Sequence, residues 1–105
     1  MTCRVFCTFQ FEAWHSWTEA PARCNYLAAR HRHLFHVRAE RAVGHADREI
    51  EFVEWKRDLE ARVVAEAATG ANRSCEQWCE WMLAEFQLDR VEVSEDGENG
   101  AVCEG

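Results

Sequence analysis

Apolar residues fall at every second position over residues 4–13 (RVFCTFQFEA), where Val5, Cys7, Phe9 and Phe11 share one parity. Alternation in a run rich in β-branched and aromatic residues predicts a strand with one buried face. Residues 31–42 (HRHLFHVRAERA) alternate again, with His31, His33, Phe35, Val37 and Ala39 on one face. Leu34, His36, Arg38 and Glu40 take the other. Between these runs, residues 16–30 hold the only Pro and break the pattern, which predicts a long loop. Loops of that length in small domains tend to carry function. Gly44 and Asp47 mark residues 43–48 as a turn between antiparallel strands, leading into a short strand over 49–51.

The period then changes. Phe52, Trp55, Leu59 and Val63 recur at helical spacing and predict a helix over 52–68 with those four on its core stripe. Gly70 and Asn72 end it. Ser74 followed by Gln77 is a capping box, so a second helix is predicted over 75–86, with Trp78, Met82 and Phe86 on one face. Residues 90–95 (RVEVSE) alternate as a strand, 96–100 form a Gly-rich turn, and 101–103 make a last short strand. The order is β-β-α-α-β-β, without repeats. An α+β fold follows, a four-stranded antiparallel sheet packed under two helices. Its other face then needs a partner subunit or solvent.

Composition narrows the class. A chain of 105 residues makes one domain, 1–105, with a small core. An apolar content of 48%, with five Trp and six Phe, excludes a disordered tail. No apolar run approaches the ~20 residues of a membrane span, and no signal peptide is visible, so a cytoplasmic protein is expected. The formal net charge of -7 argues against a nucleic-acid partner, which would call for a basic face.

Six Cys could form three disulfides in a secreted scaffold, but their placement favours free thiols. Cys3 and Cys7 lie in an apolar stretch, Cys75 and Cys79 in a helix-like stretch, and Cys24 and Cys103 stand alone. No CxxC pair is present to suggest a zinc ribbon.

The histidines say more. His31 and His33 sit at i and i+2 of a strand, on one face and about 7 Å apart, so their rings can converge on one ion. His15, at the end of the first strand, continues the Phe9, Phe11 and Ala13 face. Three His with an open fourth position make the ligand set of a catalytic zinc. The plain alternative is a chance His pair on a surface strand. His36 has the opposite parity and is not expected among the ligands.

These residues resemble a known family. Phe11-Glu12-Ala13-Trp14-His15 and His31-Arg32-His33-Leu34-Phe35-His36-Val37 are similar to the F-x-A-x-H and H-G-H-x-[FY]-x-V motifs of the 6-pyruvoyl-tetrahydropterin synthase and 6-carboxytetrahydropterin synthase family. Residues 49–56 resemble its strand-to-helix segment, and Asn72-Arg73-Ser74-Cys75-Glu76 stands where its N-P-T-x-E motif starts the second helix. Val91-Glu92-Val93-Ser94-Glu95 stands where its last strands carry V-x-V-x-E-T. The resemblance spans residues 5–103 in unbroken order and implies a T-fold, whose barrel is closed by subunits joining as a homo-oligomer, often stacked trimers.

By resemblance, His15, His31 and His33 would hold zinc, and Glu95 would anchor a pterin or purine-like ring. A carboxylate suits that task because it accepts two hydrogen bonds from a 2-amino-pyrimidinone edge. The bland alternative for Glu95 is a solvated strand end. Glu76 would be a second binding residue, or simply a carboxylate favoured in a helix's first turn.

Two family elements are missing. The Cys expected four residues before HxH is Leu27 here; Cys24 lies three residues further back and could replace it only if the loop bends differently. The Asp-His motif between the helices is absent, since residues 59–72 read LEARVVAEAATGAN. Each such general acid or base typically contributes ~10²–10⁴-fold. The resemblance therefore implies a zinc T-fold protein with weak or lost lyase activity. One alternative is an active, divergent 6-carboxytetrahydropterin synthase acting on dihydroneopterin triphosphate in queuosine-precursor synthesis, with Cys24 as its proton-transfer thiol. Others are a non-catalytic interaction module and a zinc-free structural domain.

Overall fold

The computed structural model describes residues 2–105. The chain runs β1 (Cys3–His15), β2 (His31–Val43), α1 (Phe52–Ala68), α2 (Cys75–Glu85), β3 (Arg90–Glu95) and β4 (Asn99–Glu104). All strand pairs are antiparallel and the sheet order is β1-β2-β3-β4. The α+β fold expected from the periodicities is the observed one. Among the described residues, no helix is long and apolar enough to cross a membrane.

One face of the sheet is dry. Cys7, Phe9, Phe11 and Ala13 of β1, Phe35, Val37 and Ala39 of β2, and Val91 and Val93 of β3 are buried in one cluster with both helices. Register explains the continuity, since Phe11 faces Phe35, Phe9 faces Val37, and Val37 faces Val93 across the ladders. The helices contribute Leu59 and Val63 from α1, then Cys75, Trp78, Cys79 and Met82 from α2. Each large side chain so buried is worth roughly 1.5–3 kcal/mol of transfer free energy.

The opposite face is polar and charged. Arg4, Arg38 and Arg90 surround the Glu40 carboxylate, and the Arg38 guanidinium lies 3.8 Å over the Phe6 ring. Burial works against the Glu40 charge, but hydrogen bonds from Arg38, Arg4 and Arg90 outweigh it and hold the carboxyl below its ordinary range.

Several local expectations change. Residues 49–51 form no strand, because no ladder neighbour stands beside them; Glu51 instead caps α1, its carboxylate accepting from the Val53 and Glu54 N–H groups. The turn expected over 43–48 therefore connects a strand to a helix. Phe52, placed on the core stripe by its spacing, is 55% exposed, and the stripe is buried only from Leu59 to Val63. The loop over 16–30 contains a 3-10 segment at Ala22–Leu27, closed at its base by the Trp17 N–H donating to the Leu27 carbonyl at 2.8 Å. The last strand is longer than expected, at Asn99–Glu104.

The capping box of α2 forms as read. Ser74 Oγ accepts from the Gln77 N–H at 3.1 Å, while Gln77 Oε1 accepts from the Ser74 N–H at 2.9 Å. Ser74→Ala is expected to cost about 1 kcal/mol, read as a lower urea midpoint at unchanged slope. A midpoint equal to that of the unsubstituted chain contradicts it.

Candidate metal centre

β1 and β2 pair along thirteen positions, but β3 reaches β2 only from Glu40 to Phe35. The β1–β2 ribbon therefore overhangs the end of β3, and the three histidines stand on that overhang. His15 pairs directly with His31, and Ala13 pairs with His33, which places the third ring diagonally beside the first. Ring centroids lie 4.4 Å (His15–His31), 5.2 Å (His15–His33) and 5.0 Å (His31–His33) apart. One nitrogen from each ring lies within 4.8 Å of the other two, so the group could hold a metal ion.

Hydrogen bonds say which nitrogens are available. His15 Nδ1 faces the Arg73 carbonyl at 2.9 Å, His31 Nδ1 the Ala29 carbonyl at 2.8 Å, and His33 Nδ1 an Asp96 carboxylate oxygen at 3.0 Å. All three partners are acceptors, so each Nδ1 carries the proton and donates. In a neutral ring so held the lone pair is on Nε2; the Nε2 atoms of His15 and His33 lie 3.5 and 3.4 Å from the two Glu95 carboxylate oxygens. The Nε2 atoms of His31 and His33 are buried with no hydrogen-bond partner. A buried polar atom without a partner costs about 1–3 kcal/mol, and a cation bound there would remove that cost. Fixing Nδ1 by an acceptor is also how metal-binding imidazoles are oriented in general. The donor set therefore fits a divalent ion of borderline softness such as zinc.

Asp96 does more than its neighbours. The β3–β4 turn is an Asp-Gly pair, with Asp96 and Gly97 both left-handed at φ 57 and 76. That conformation suits this dipeptide and continues the β2 pairing one step past β3. The Asp96 N–H donates to the Leu34 carbonyl at 2.8 Å, and Asp96 Oδ1 accepts from the Leu34 N–H at 3.3 Å. The other carboxylate oxygen is the one on His33. The His33 hydrogen bond is the main cause holding the Asp96 carboxyl below its ordinary range. Asp96→Asn keeps a residue that tolerates this turn but removes the charge. It is expected to weaken metal binding about tenfold, the lower end of the usual effect of such outer partners. Competition titration with a chromophoric chelator measures this, and an unchanged Kd would exclude the role.

A cleft of about 600 Å³ opens on the centre; its walls include Trp17, Glu19, Leu27, Asn72, Glu76 and Glu95. Both carboxylates expected to bind substrate are thus on the cleft with the rings of His15 and His31. The Asn72 amide staples the inter-helix loop to the end of β1, accepting from the Ser16 N–H at 2.8 Å. This staple sets the height of the Arg73 carbonyl over His15. Arg73 is fixed in turn by Glu66 at 2.7 Å and by stacking at 4.9 Å on Trp78 and 5.0 Å on Trp81.

Cys24 is not on the cleft wall. It sits half-buried in the 3-10 segment, where Leu27 supplies the wall instead. Cys7, Cys75 and Cys79 are buried in the core, and burial first of all pushes their thiols up to about 11, 12 and 12. They are core fillers and stay protonated. His36 lies on the outer face, its Nδ1 3.3 Å from the Gln10 amide, and His45 lies exposed beside Glu49.

Sequence reasoning reached the three rings and missed what holds them. Arg73 and Ala29 act through backbone carbonyls, which side-chain chemistry does not reveal. Asp96 had a visible turn signature, but only the β2–β3 register brings it to His33. No protein-family model matches the chain, and no curated protein is similar enough to it to count as a match.

Proposed function

We propose that this chain is a zinc-binding T-fold protein of the 6-carboxytetrahydropterin synthase type with a degenerate active site. It retains the metal triad and a pocket for a pterin or purine-like ring, and its synthase chemistry is weak or lost. The observation that carries this reading is the set of three imidazoles close enough to share one ion, each with Nδ1 on an acceptor, two of which (His15 and His31) line a cleft of small-molecule size. Bound zinc would supply Lewis-acid polarisation of a substrate oxygen. Glu76 and Glu95 offer acceptors for the amino and ring N–H groups of a pyrimidinone edge.

The acid and base are the weak point. Among the described residues on the cleft wall there is no thiol, and no His beyond the ligand rings. Zinc-loaded protein incubated with dihydroneopterin triphosphate is expected to turn over no faster than a His31→Ala control. Turnover clearly above that control would favour an active, divergent lyase. Calorimetry with a pterin and with guanine tests the pocket: saturable binding to the zinc-loaded protein supports it, and the absence of heat with both overturns it.

Self-association belongs to the same reading. β1 and β4 are the edges of the sheet, and β1 offers unpaired backbone groups along thirteen residues. Trp14 and Trp17, 49% and 50% exposed, flank the cleft end of that edge. A trimer or hexamer would cover them, and light scattering at the mass of a single chain would contradict it.

A further inference from the structure

We infer that the cleft beside the histidines selects a planar, N–H-rich ligand that is uncharged or cationic, and turns away phosphate esters of the same ring. The inference rests on the small-molecule pocket proposed above and adds the charge of what it holds. Glu19, Glu76 and Glu95 all stand on the cleft wall, and among the described residues that line it none is Lys or Arg. Three carboxylates outweigh the charge of one divalent ion, so the wall stays net negative with a metal in place. The chain as a whole adds to that field, with a formal net charge of -7.

The arginines around the site are committed elsewhere. Arg73 is held by Glu66 at 2.7 Å and lies over Trp78 and Trp81, and the Arg30 guanidinium lies 5.6 Å from the centre of the Trp14 ring. The α2 N-terminus opens on the cleft through Ser74, Glu76 and Gln77, and a helix start by itself favours an anion. Here its Gln77 N–H is taken by Ser74 Oγ, and Glu76 brings a carboxylate to its first turn. The feature suited to phosphate is thus already served by the chain's own oxygens. What the wall does offer is acceptors beside an aromatic surface, since Trp17 is half-exposed there. Carboxylates accept from amino and ring N–H groups, and a flat ring stacks on indole, more strongly if it is cationic. A phosphate group placed among these carboxylates meets like charge, which opposes binding.

Calorimetry with zinc-loaded protein tests this by comparing 7,8-dihydroneopterin with its phosphate monoester, which share a ring and differ in charge. The monoester is the better probe than the triphosphate, because a triphosphate competes for the zinc itself. In low salt dihydroneopterin is expected to bind at least about tenfold more tightly. The gap should narrow as salt screens the carboxylates. Glu19→Gln removes one charge at an exposed position outside the ring contacts proposed above. It should tighten the monoester about two- to threefold and leave dihydroneopterin unchanged. If neither ligand binds, the pocket reading falls and this inference with it. If the monoester binds as tightly as dihydroneopterin, the pocket stands and this inference alone is overturned. A preference that neither salt nor Glu19→Gln alters is steric, and overturns it too.

Discussion

His31→Ala is expected to weaken zinc binding by about two to three decades and to remove most of the thermal stabilisation that zinc confers. The ring has no other task in the fold. Its Nδ1 is held by a carbonyl two residues away, and its Nε2 has no protein partner. Apparent binding energies of about 10–16 kcal/mol for four-ligand zinc sites divide to roughly 2.5–4 kcal/mol per ligand. Loss of one ligand should therefore weaken binding by two to three decades. For the intact chain, zinc at about 1,000 times its Kd adds about 4 kcal/mol to stability. At about 4–8 °C per kcal/mol for a domain near this size, Tm should rise by roughly 15–30 °C and fall back with a chelator. In His31→Ala the same zinc concentration should add only about 0.4–1.4 kcal/mol, so the rise should shrink to roughly 2–11 °C.

The metal-free variant should be little different from the metal-free parent, because the alanine removes a buried nitrogen that has no partner. Calorimetric scans with zinc and with chelator give all four values. A zinc-dependent rise in the variant equal to the parent's would end the case for His31 as a ligand.

Legibility followed the physics of each element. The two long strands announce themselves by alternation because one face is dry and the other wet, and that parity also separated His15, His31 and His33 from His36. The capping box was readable because it is a local device, complete within four residues. Phe52 misled for the opposite reason: helical spacing records which residues share a stripe, not how much of that stripe is covered, and here burial begins only at Leu59. Residues 49–51 (EIE) alternate polar and apolar, but a strand needs a neighbour, and Glu51 found the N–H groups of α1 instead. The site was legible as far as its three histidines. Its outer partners depend on β2–β3 register, on a loop stapled by Asn72, and on two carbonyls, none of which a single sequence displays.

Phe35→Ala is expected to damage stability and metal binding together, because this ring is the floor of the site. It is fully buried and its ring stacks on Phe11 at 5.2 Å, which meets Trp78 edge-on at 5.0 Å. In the other direction it supports the rings of His15 at 5.5 Å and His33 at 6.0 Å. Truncation removes the transfer free energy of the ring and leaves a cavity, together about 3–5 kcal/mol. Domains hold only about 5–15 kcal/mol, so a large share of the margin goes. Two ligand rings then lose the surface that fixes their tilt, and zinc affinity should fall about 10–100-fold, as when other supports of ligand rings are removed.

Phe9→Ala is the control. Phe9 is buried on the same face of β1 but pairs with Val37, one step of the alternation further from the ligands. It should cost similar stability while leaving zinc affinity within a few-fold of the parent. Urea unfolding with chelator isolates the packing loss, and competition titration of the folded protein gives the affinity. If Phe35→Ala binds zinc as tightly as Phe9→Ala does, the triad is held by its hydrogen bonds alone, and the aromatic stack serves only the core.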